Sequence, residues 1–444
     1  MAANQKVQTQ ESIGFLARFF KLAQNGTSVR TEFIAGLTTF VTMAYIIIVN
    51  PITLEAAGMD RGALITATII AATVSTLVMG LWANWPMALA PGMGLNAFFA
   101  YVLCGAMGLP WQTALGAVFI SGILALIVTL TGLREIMIKA IPTSLKHAVS
   151  AGIGFFILLI GLKNAGVVIA SEPTLVALGS LKTAGPLLAM VGLLITGALV
   201  ARKIPGAILI GIAVTTVLGV PFGVTKLPEA IMAMPPSLAP IAFKLDIMAA
   251  LVPAMITVIF SMFFADLFDT IGTFVGVAGK AGLLEKDGTL KGGSRALVAD
   301  SCGTIIGSLV GTSNTTSYVE SAAGIAAGGR TGLTAVFVAL FFILAAFFSP
   351  IFLAVPGAAT APALIIVGIL MATPLLEIDL NDFTVALPAI ITALMMPFTF
   401  SIATGLAIGF TSYVLLNVLT GKAAKVHWMM YVLTAFFLYY FYAH

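Results

Sequence analysis

Between residues 32 and 420 the chain is a succession of apolar runs, each near the length needed to cross a lipid bilayer. They cover approximately 32–53, 63–83, 110–131, 147–163, 186–201, 204–220, 247–278, 294–311, 331–354, 360–373, 383–398 and 401–420. A spanning helix needs about 20 predominantly apolar residues. Backbone polar groups cannot be left unbonded in hydrocarbon, so the runs read as helices. Two shorter segments, about 97–108 and 320–329, each follow an irregular stretch, ALAPGMGLN and GTSNTTSY. Counting both half-length pieces gives fourteen elements. Of the 444 residues 60% are hydrophobic and 9% charged, with mean hydropathy +1.11. A soluble domain carries about 25% charged residues. The fold class is an all-α polytopic membrane protein.

The positive residues orient it. With a cytoplasmic N-terminus and fourteen elements, sixteen of the 21 Lys and Arg fall inside; Arg61, Lys163, Lys182, Lys226 and Lys244 fall outside. That bias obeys the positive-inside rule, and dropping both short segments would spoil it. The spread of these residues over loop ends argues against nucleic acid as a partner, despite a pI near 9.0. Polar, basic residues precede the first apolar run, so Met1–Arg30 is expected to be retained. Within it, Ile13, Leu16, Phe20 and Ala23 share one face of a surface helix. The aromatic segment WMMYVLTAFFLYYFYAH reads as an interfacial helix. Cys104 and Cys302 lie in apolar runs and read as packing residues.

A shift of 224 residues lays FFADLFDT on TFVTMAYI and Glu320 on Asn96. Both short segments then occupy matching places in the two halves. Seven elements per half, an odd number, makes the repeat inverted. The expected divisions are a cytoplasmic N-terminus (1–31), a first repeat (32–220), an extracellular linker (221–246), a second repeat (247–421) and a C-terminal interfacial helix (422–444). Interrupted segments at corresponding positions of such a repeat point to a mid-membrane binding site.

Four carboxylates lie in the apolar runs: Asp266, Asp269, Asp300 and Glu320. A charge near the bilayer centre costs about 2.5–3.5 kcal/mol on insertion scales and marks function by default. No Lys or Arg lies within the stretches that hold the four carboxylates, MITVIFSMFFADLFDTIGTFVGVAG, ALVADSCGTIIGSLVGT and SNTTSYVESAAGIAAGG; Arg295 and Arg330 only flank these. Unpartnered acids suit proton binding, cation binding or hydrogen bonds to a polar solute. Asp266 and Asp269, spaced i, i+3, share a helix face. In low dielectric both cannot ionise cheaply, which suits a proton carrier. Asp300 reads as a relay. Asn96 and Glu320 are expected at the starts of the half-helices, offering a donor and acceptors to a flat solute with both kinds of edge group. Thr316 could add a hydroxyl; Phe98, Phe264, Tyr45 and Tyr318 could stack. The three His form no metal cluster, and no nucleophile–base pair or phosphate loop is present, which argues against an enzyme.

The segments GTSVRTEFIAGLTTFVTMAYIIIVNP, ALAPGMGLNAFFAY, FFADLFDTIGTFVGVAGKAGLL, GTSNTTSYVESAAGIAAGGRTGLTAV and MMPFTFSIATGLAIGF resemble the AzgA-like purine permeases of the nucleobase–cation symporter family, which has the uracil-permease fold. The resemblance runs from about residue 25 to 421. It implies a core and a gate domain, with short strands before the third and tenth helices. It implies that Asp266, Glu320 and Asn96 meet a purine nucleobase, and that Asp269 and Asp300 belong to a proton-linked network. It implies a homodimer; the charge bias with fourteen elements puts both termini in the cytoplasm, and the expected place is the plasma membrane, with no cofactor. The DLFDT form favours hypoxanthine and guanine; adenine is the alternative, because GMGLNAFF also occurs in adenine carriers. Sodium coupling is the rival to proton symport. An anion transporter of the same fold is the rival class, disfavoured by four acids without basic partners.

Overall fold

The computed structural model describes residues 14–281 and 292–443. The loop around Lys286, expected in the cytoplasm, lies outside the described residues, as does Ile13. The N-terminal helix, α1 (Phe15–Phe19), is shorter than expected. Its chain turns at Lys21, φ 55°, so the helical spacing ends there. Phe20 and Leu22 are buried with Leu333, whereas Leu16 and Ala23 face outward.

The first apolar run is two helices. α2 (Val29–Met43) starts at Ser28, whose side chain accepts from the Thr31 amide. α3 (Ile46–Glu55) follows after a turn at Ala44–Tyr45. Next come α4 (Arg61–Val78), β1 (Leu89–Pro91) and α5 (Met93–Ala97), which continues as a wider turn over Phe98–Ala106. α6 (Trp111–Leu130), the short α7 (Leu133–Ala140) and α8 (Thr143–Asn164) lead to an exposed hairpin, β2 (Val168–Ser171) and β3 (Leu175–Leu178). The first half closes with α9 (Ala184–Ala201) and α10 (Ala207–Leu218).

In the second half, α11 (Ile256–Ala281) carries Asp266 and Asp269, and α12 (Gly293–Val310) carries Asp300. β4 (Thr315–Ser317) and α13 (Ser321–Ala326) form the second break. α14 (Gly332–Ala345), α15 (Gly357–Ala372), α16 (Phe383–Phe398), α17 (Ile402–Leu419) and α18 (Trp428–Ala443) complete the chain. Among the described residues nine helices are long and apolar enough to cross a membrane.

The helices sort into two packing groups. α2–α6 pack with α11–α14; α8–α10 pack with α15–α17. The groups meet where α8 lies against α5 and α11. Gly94 permits that approach, since a Cβ there would stand 2.5 Å from the Ile153 side chain. α18 packs along α17, and its Phe436 and Phe437 rings meet Phe260, Phe264 and Phe410, residues within the lengths of α11 and α17.

Candidate functional site between two broken helices

β1 and β4 pair antiparallel, with Leu89 opposite Ser317 and Pro91 opposite Thr315. Two strands of three residues leave outer backbone groups unpaired, and in a membrane these need partners. Side chains of the surrounding helices supply them. Thr76 of α4 bonds both the amide (2.9 Å) and carbonyl (3.0 Å) of Leu89. Ser321 accepts from the Ala88 amide at 3.0 Å. Asp300 accepts from the Ser317 amide at 3.0 Å, and Thr304 donates to the Thr315 carbonyl at 3.3 Å. Gly303 lets β4 lie on α12: a Cβ there would stand 2.8 Å from the Thr315 carbonyl oxygen.

The two breaks differ at their caps. Gly92 is the N-cap of α5, and Glu320 is the N-cap of α13. These positions lie 228 residues apart, not 224, so Asn96 is not the counterpart of Glu320. Asn96 sits one turn inside α5 and is fully buried. Its Nδ2 donates to Asn50 Oδ1 at 2.7 Å, and its Oδ1 accepts from Ser313 Oγ. Asn50 in turn donates to Thr68 (2.8 Å) and Thr312 (3.0 Å). The expectation that Asn96 stands at a half-helix start is therefore corrected: it lies one turn inside α5. Its amide joins α5 to α3 and to the irregular stretch before β4.

Asp300 corrects a second expectation, that the intramembrane acids lack basic partners. Its Oδ2 lies 3.2 Å from Arg134, with the two side chains 0% and 1% exposed. Thr270 donates to the same oxygen at 2.8 Å. Oδ1 accepts from Ser317 Oγ (2.8 Å), Ser317 N (3.0 Å) and Thr316 Oγ1 (3.3 Å). Five donors saturate this carboxylate. Arg134 escaped the sequence because it comes from α7, a segment read as a loop between spans. Met137 and Ala140, three and six residues after Arg134, are buried with it, and their apolar character beside the arginine is the signal that this face of the segment folds against the bundle.

Thr316 is likewise engaged, bonded to Asp300 and 3.2 Å from Thr270 Oγ1, and buried. Phe264 is buried in a cluster of rings with Phe260, Phe263, Phe436 and Phe437. Phe98 lines a cavity of about 210 Å³ with Val102, Thr257, Ser261 and Thr404, between the two packing groups; none of the four acids lines it. Asp266 is 2% exposed; Thr304 approaches its Oδ2 at 3.5 Å, while Oδ1 has no partner.

Two acids share a partly open face: Glu320 and Asp269. Beside them Val319 is 50% exposed. Glu320 Oε1 accepts from Tyr45 Oη at 2.6 Å, and Tyr45 itself sits at the turn between α2 and α3. Tyr318 Oη donates to the Pro91 carbonyl at 2.6 Å, tying one break to the other. Asp269 Oδ2 would stand 3.6 Å from a Cβ at Gly92, so this acid lies against the glycine cap of α5. Glu320 is close enough for its charge to reach Asp269. Tyr45 and Tyr318 entered as stacking candidates; both are hydrogen-bond donors that hold the breaks. Thr270, beside Asp269 in the sequence, was missed, as was Asn50.

The sequence profile of the Permease family matches residues 30–408. This chain belongs to the Permease family. It is 46% identical over 424 residues to adenine permease AdeQ of Escherichia coli, covering 96% of this chain and 95% of AdeQ. It is 46% identical over 437 residues to guanine/hypoxanthine permease PbuG of Bacillus subtilis, covering 95% of this chain and 98% of PbuG. The likeness to purine permeases read from the motifs is borne out. Family membership makes the chain a membrane transporter rather than an enzyme. Among solved structures, the transmembrane domain of the cyanobacterial bicarbonate transporter BicA superposes with TM-score 0.62 at 16% identity, covering 86% of this chain and 97% of that domain. That likeness speaks for the fold alone.

Proposed function

We propose that this permease imports purine nucleobases, hypoxanthine and guanine foremost, across the plasma membrane by proton symport. The observation that carries this reading is its end-to-end identity of 46% with both a guanine/hypoxanthine and an adenine permease. The equal identities leave the choice of purine to the site. A carboxylate offers acceptors alone when ionised. The 6-oxopurines present an N1–H donor, and guanine adds a 2-amino group; adenine has an acceptor at N1. Glu320, held by a single side-chain donor, Tyr45, has lone pairs left for such an edge. Asp269, across from it, supplies a second acceptor. Phe98, at the cavity between the packing groups, is the aromatic wall on the route. Asp266 lies behind this face.

The coupling proton rides on acids without a basic partner. Asp266, Asp269 and Glu320 make no ion pair among the described residues, whereas Asp300 pairs with Arg134. Asp300 therefore drops out as a carrier, and Asp269 stays. The core group, α2–α6 with α11–α14, moves as a body against the gate group, in a homodimer whose N-terminus is cytoplasmic. The charge bias of the loops supports that orientation.

The test is uptake of labelled hypoxanthine into proteoliposomes under an imposed pH gradient or an imposed sodium gradient, each alone. Concentrative uptake driven by the pH gradient, competed by guanine more than adenine, is expected. Uptake driven by sodium alone rejects the proton, stronger competition by adenine rejects the 6-oxopurine preference, and sulfate or bicarbonate transport without purine uptake rejects the class.

A further inference from the structure

Arg134 is the one Lys or Arg that is buried among the described residues. Its NH1 donates to Thr129 Oγ1 (3.3 Å), the Leu297 carbonyl (3.2 Å) and Ser301 Oγ (3.1 Å), and its NH2 to Asp300 Oδ2 (3.2 Å). It enters from α7, outside the spans, and its long stem carries the charge in. We propose that Arg134 is a positioning residue for transport: by pairing with Asp300 and holding its side chain in place, it fixes β4 and with it the start of α13, where Glu320 stands. The substrate named in the test rests on the purine reading above.

The chemistry of the five partners leads to this role. Of the five partners of Asp300, three are hydroxyls; the other two, the Ser317 amide and the Arg134 guanidinium, can only donate. An unpaired charge at this depth is costly, so the ionised form needs a countercharge close by. The other titratable groups acting around Asp300 are Asp266 and Asp269 of α11 and the Cys302 thiol of its own helix. None of them brings positive charge; Arg134 does.

The consequence reaches the open acids through short covalent paths. Ser317, bonded twice to Asp300, directly precedes Tyr318 and stands three residues before Glu320. Thr316 is bonded to Asp300 and packs its methyl against Gly92, where a Cβ would stand 2.7 Å away. Thr270, bonded to Asp300, is the neighbour of Asp269. One saturated carboxylate thus fixes β4, the glycine cap of α5 and the middle of α11, and Arg134 is the cation paired with it. Arg134 touches none of the open face itself.

The experiment compares four purified full-length proteins in lipid nanodiscs: wild type, Arg134→Lys, Arg134→Gln, and Arg134→Gln combined with Asp300→Asn. Two quantities are read: equilibrium binding of labelled hypoxanthine, and hydrogen exchange of the 312–320 segment without ligand. Arg134→Gln should bind at least tenfold more weakly and exchange faster in that segment. Arg134→Lys should recover most of both, because it restores the charge. The double variant should bind more tightly and exchange more slowly than Arg134→Gln alone, because a neutral amide needs no countercharge. Wild-type exchange in Arg134→Gln overturns the proposal. So does a double variant that is no better than the single one. If Arg134→Gln yields no folded protein, recovery of folded protein by the added Asp300→Asn supports the proposal, and no recovery overturns it. If wild type binds no purine, the purine reading fails, and the exchange measurements still decide the role of Arg134.

Discussion

Asp300 and Glu320 flank the same strand, β4, yet they are held in opposite ways. Asp300 accepts from five donors, one of them a buried guanidinium, and is sealed from solvent. Glu320 takes one side-chain donor, Tyr45, and is partly open. A membrane protein can keep an acid for two reasons. One acid bonds backbone that would otherwise be orphaned in hydrocarbon; the other keeps its lone pairs for a ligand. Donor count and exposure separate the two roles, and intramembrane position does not.

The largest effect that would sharpen this contrast is expected at Asp300. Replacing it with Ala leaves Arg134 buried without its carboxylate, at a cost of about 3–5 kcal/mol. The thermal midpoint of the purified protein should fall steeply, with little folded protein recovered. A midpoint near wild type would break the distinction, since Asp300 would then not be structural.

Next in size is Asn96→Ala, which strips a buried amide of its bonds to Asn50 and Ser313 and leaves both partners short. The expected cost is about 1–3 kcal/mol, read as a lower thermal midpoint with hypoxanthine affinity little changed in the protein that folds. A selective loss of affinity with unchanged stability would return Asn96 to the substrate.

Tyr45→Phe is smaller. It removes the one side-chain donor to Glu320 and should weaken purine binding by about two- to tenfold, in keeping with a hydrogen bond worth about 0.5–1.5 kcal/mol. Equilibrium binding checks it. A total loss of binding would mean that Tyr45 meets the purine itself.

Much of this architecture was legible in the chain. Apolar runs of spanning length located α4, α6, α8 to α12 and α14 to α17 because hydrocarbon demands continuous helices, and the first run proved to be α2 and α3 together. Pro, Gly, Ser and Thr clusters before residues 97 and 320 marked both breaks, since such residues interrupt helices. The acids stood out against an apolar background. What escaped was the partner of each acid. Arg134 lies in a segment distant from Asp300 in sequence, and only the packing of α7 brings them together. The repeat was placed by matching letters, which put Asn96 opposite Glu320; cap geometry puts Gly92 there instead. Phe264 looked like a platform for a base, but the rings of α18 claim it. Spacing tells which residues share a helix face, and tertiary packing decides what that face meets.

Glu320→Gln tests the division of labour most directly, with thermal stability and hypoxanthine binding measured on the same purified sample. Losing one charge-assisted bond to a buried ligand costs about 1.5–3 kcal/mol, roughly ten- to a hundredfold in affinity. The expected result is that loss of affinity at an unchanged thermal midpoint. Wild-type affinity in Glu320→Gln would contradict the assignment of Glu320 to the substrate, and with it the separation of an open, ligand-reading acid from a saturated, strand-holding one.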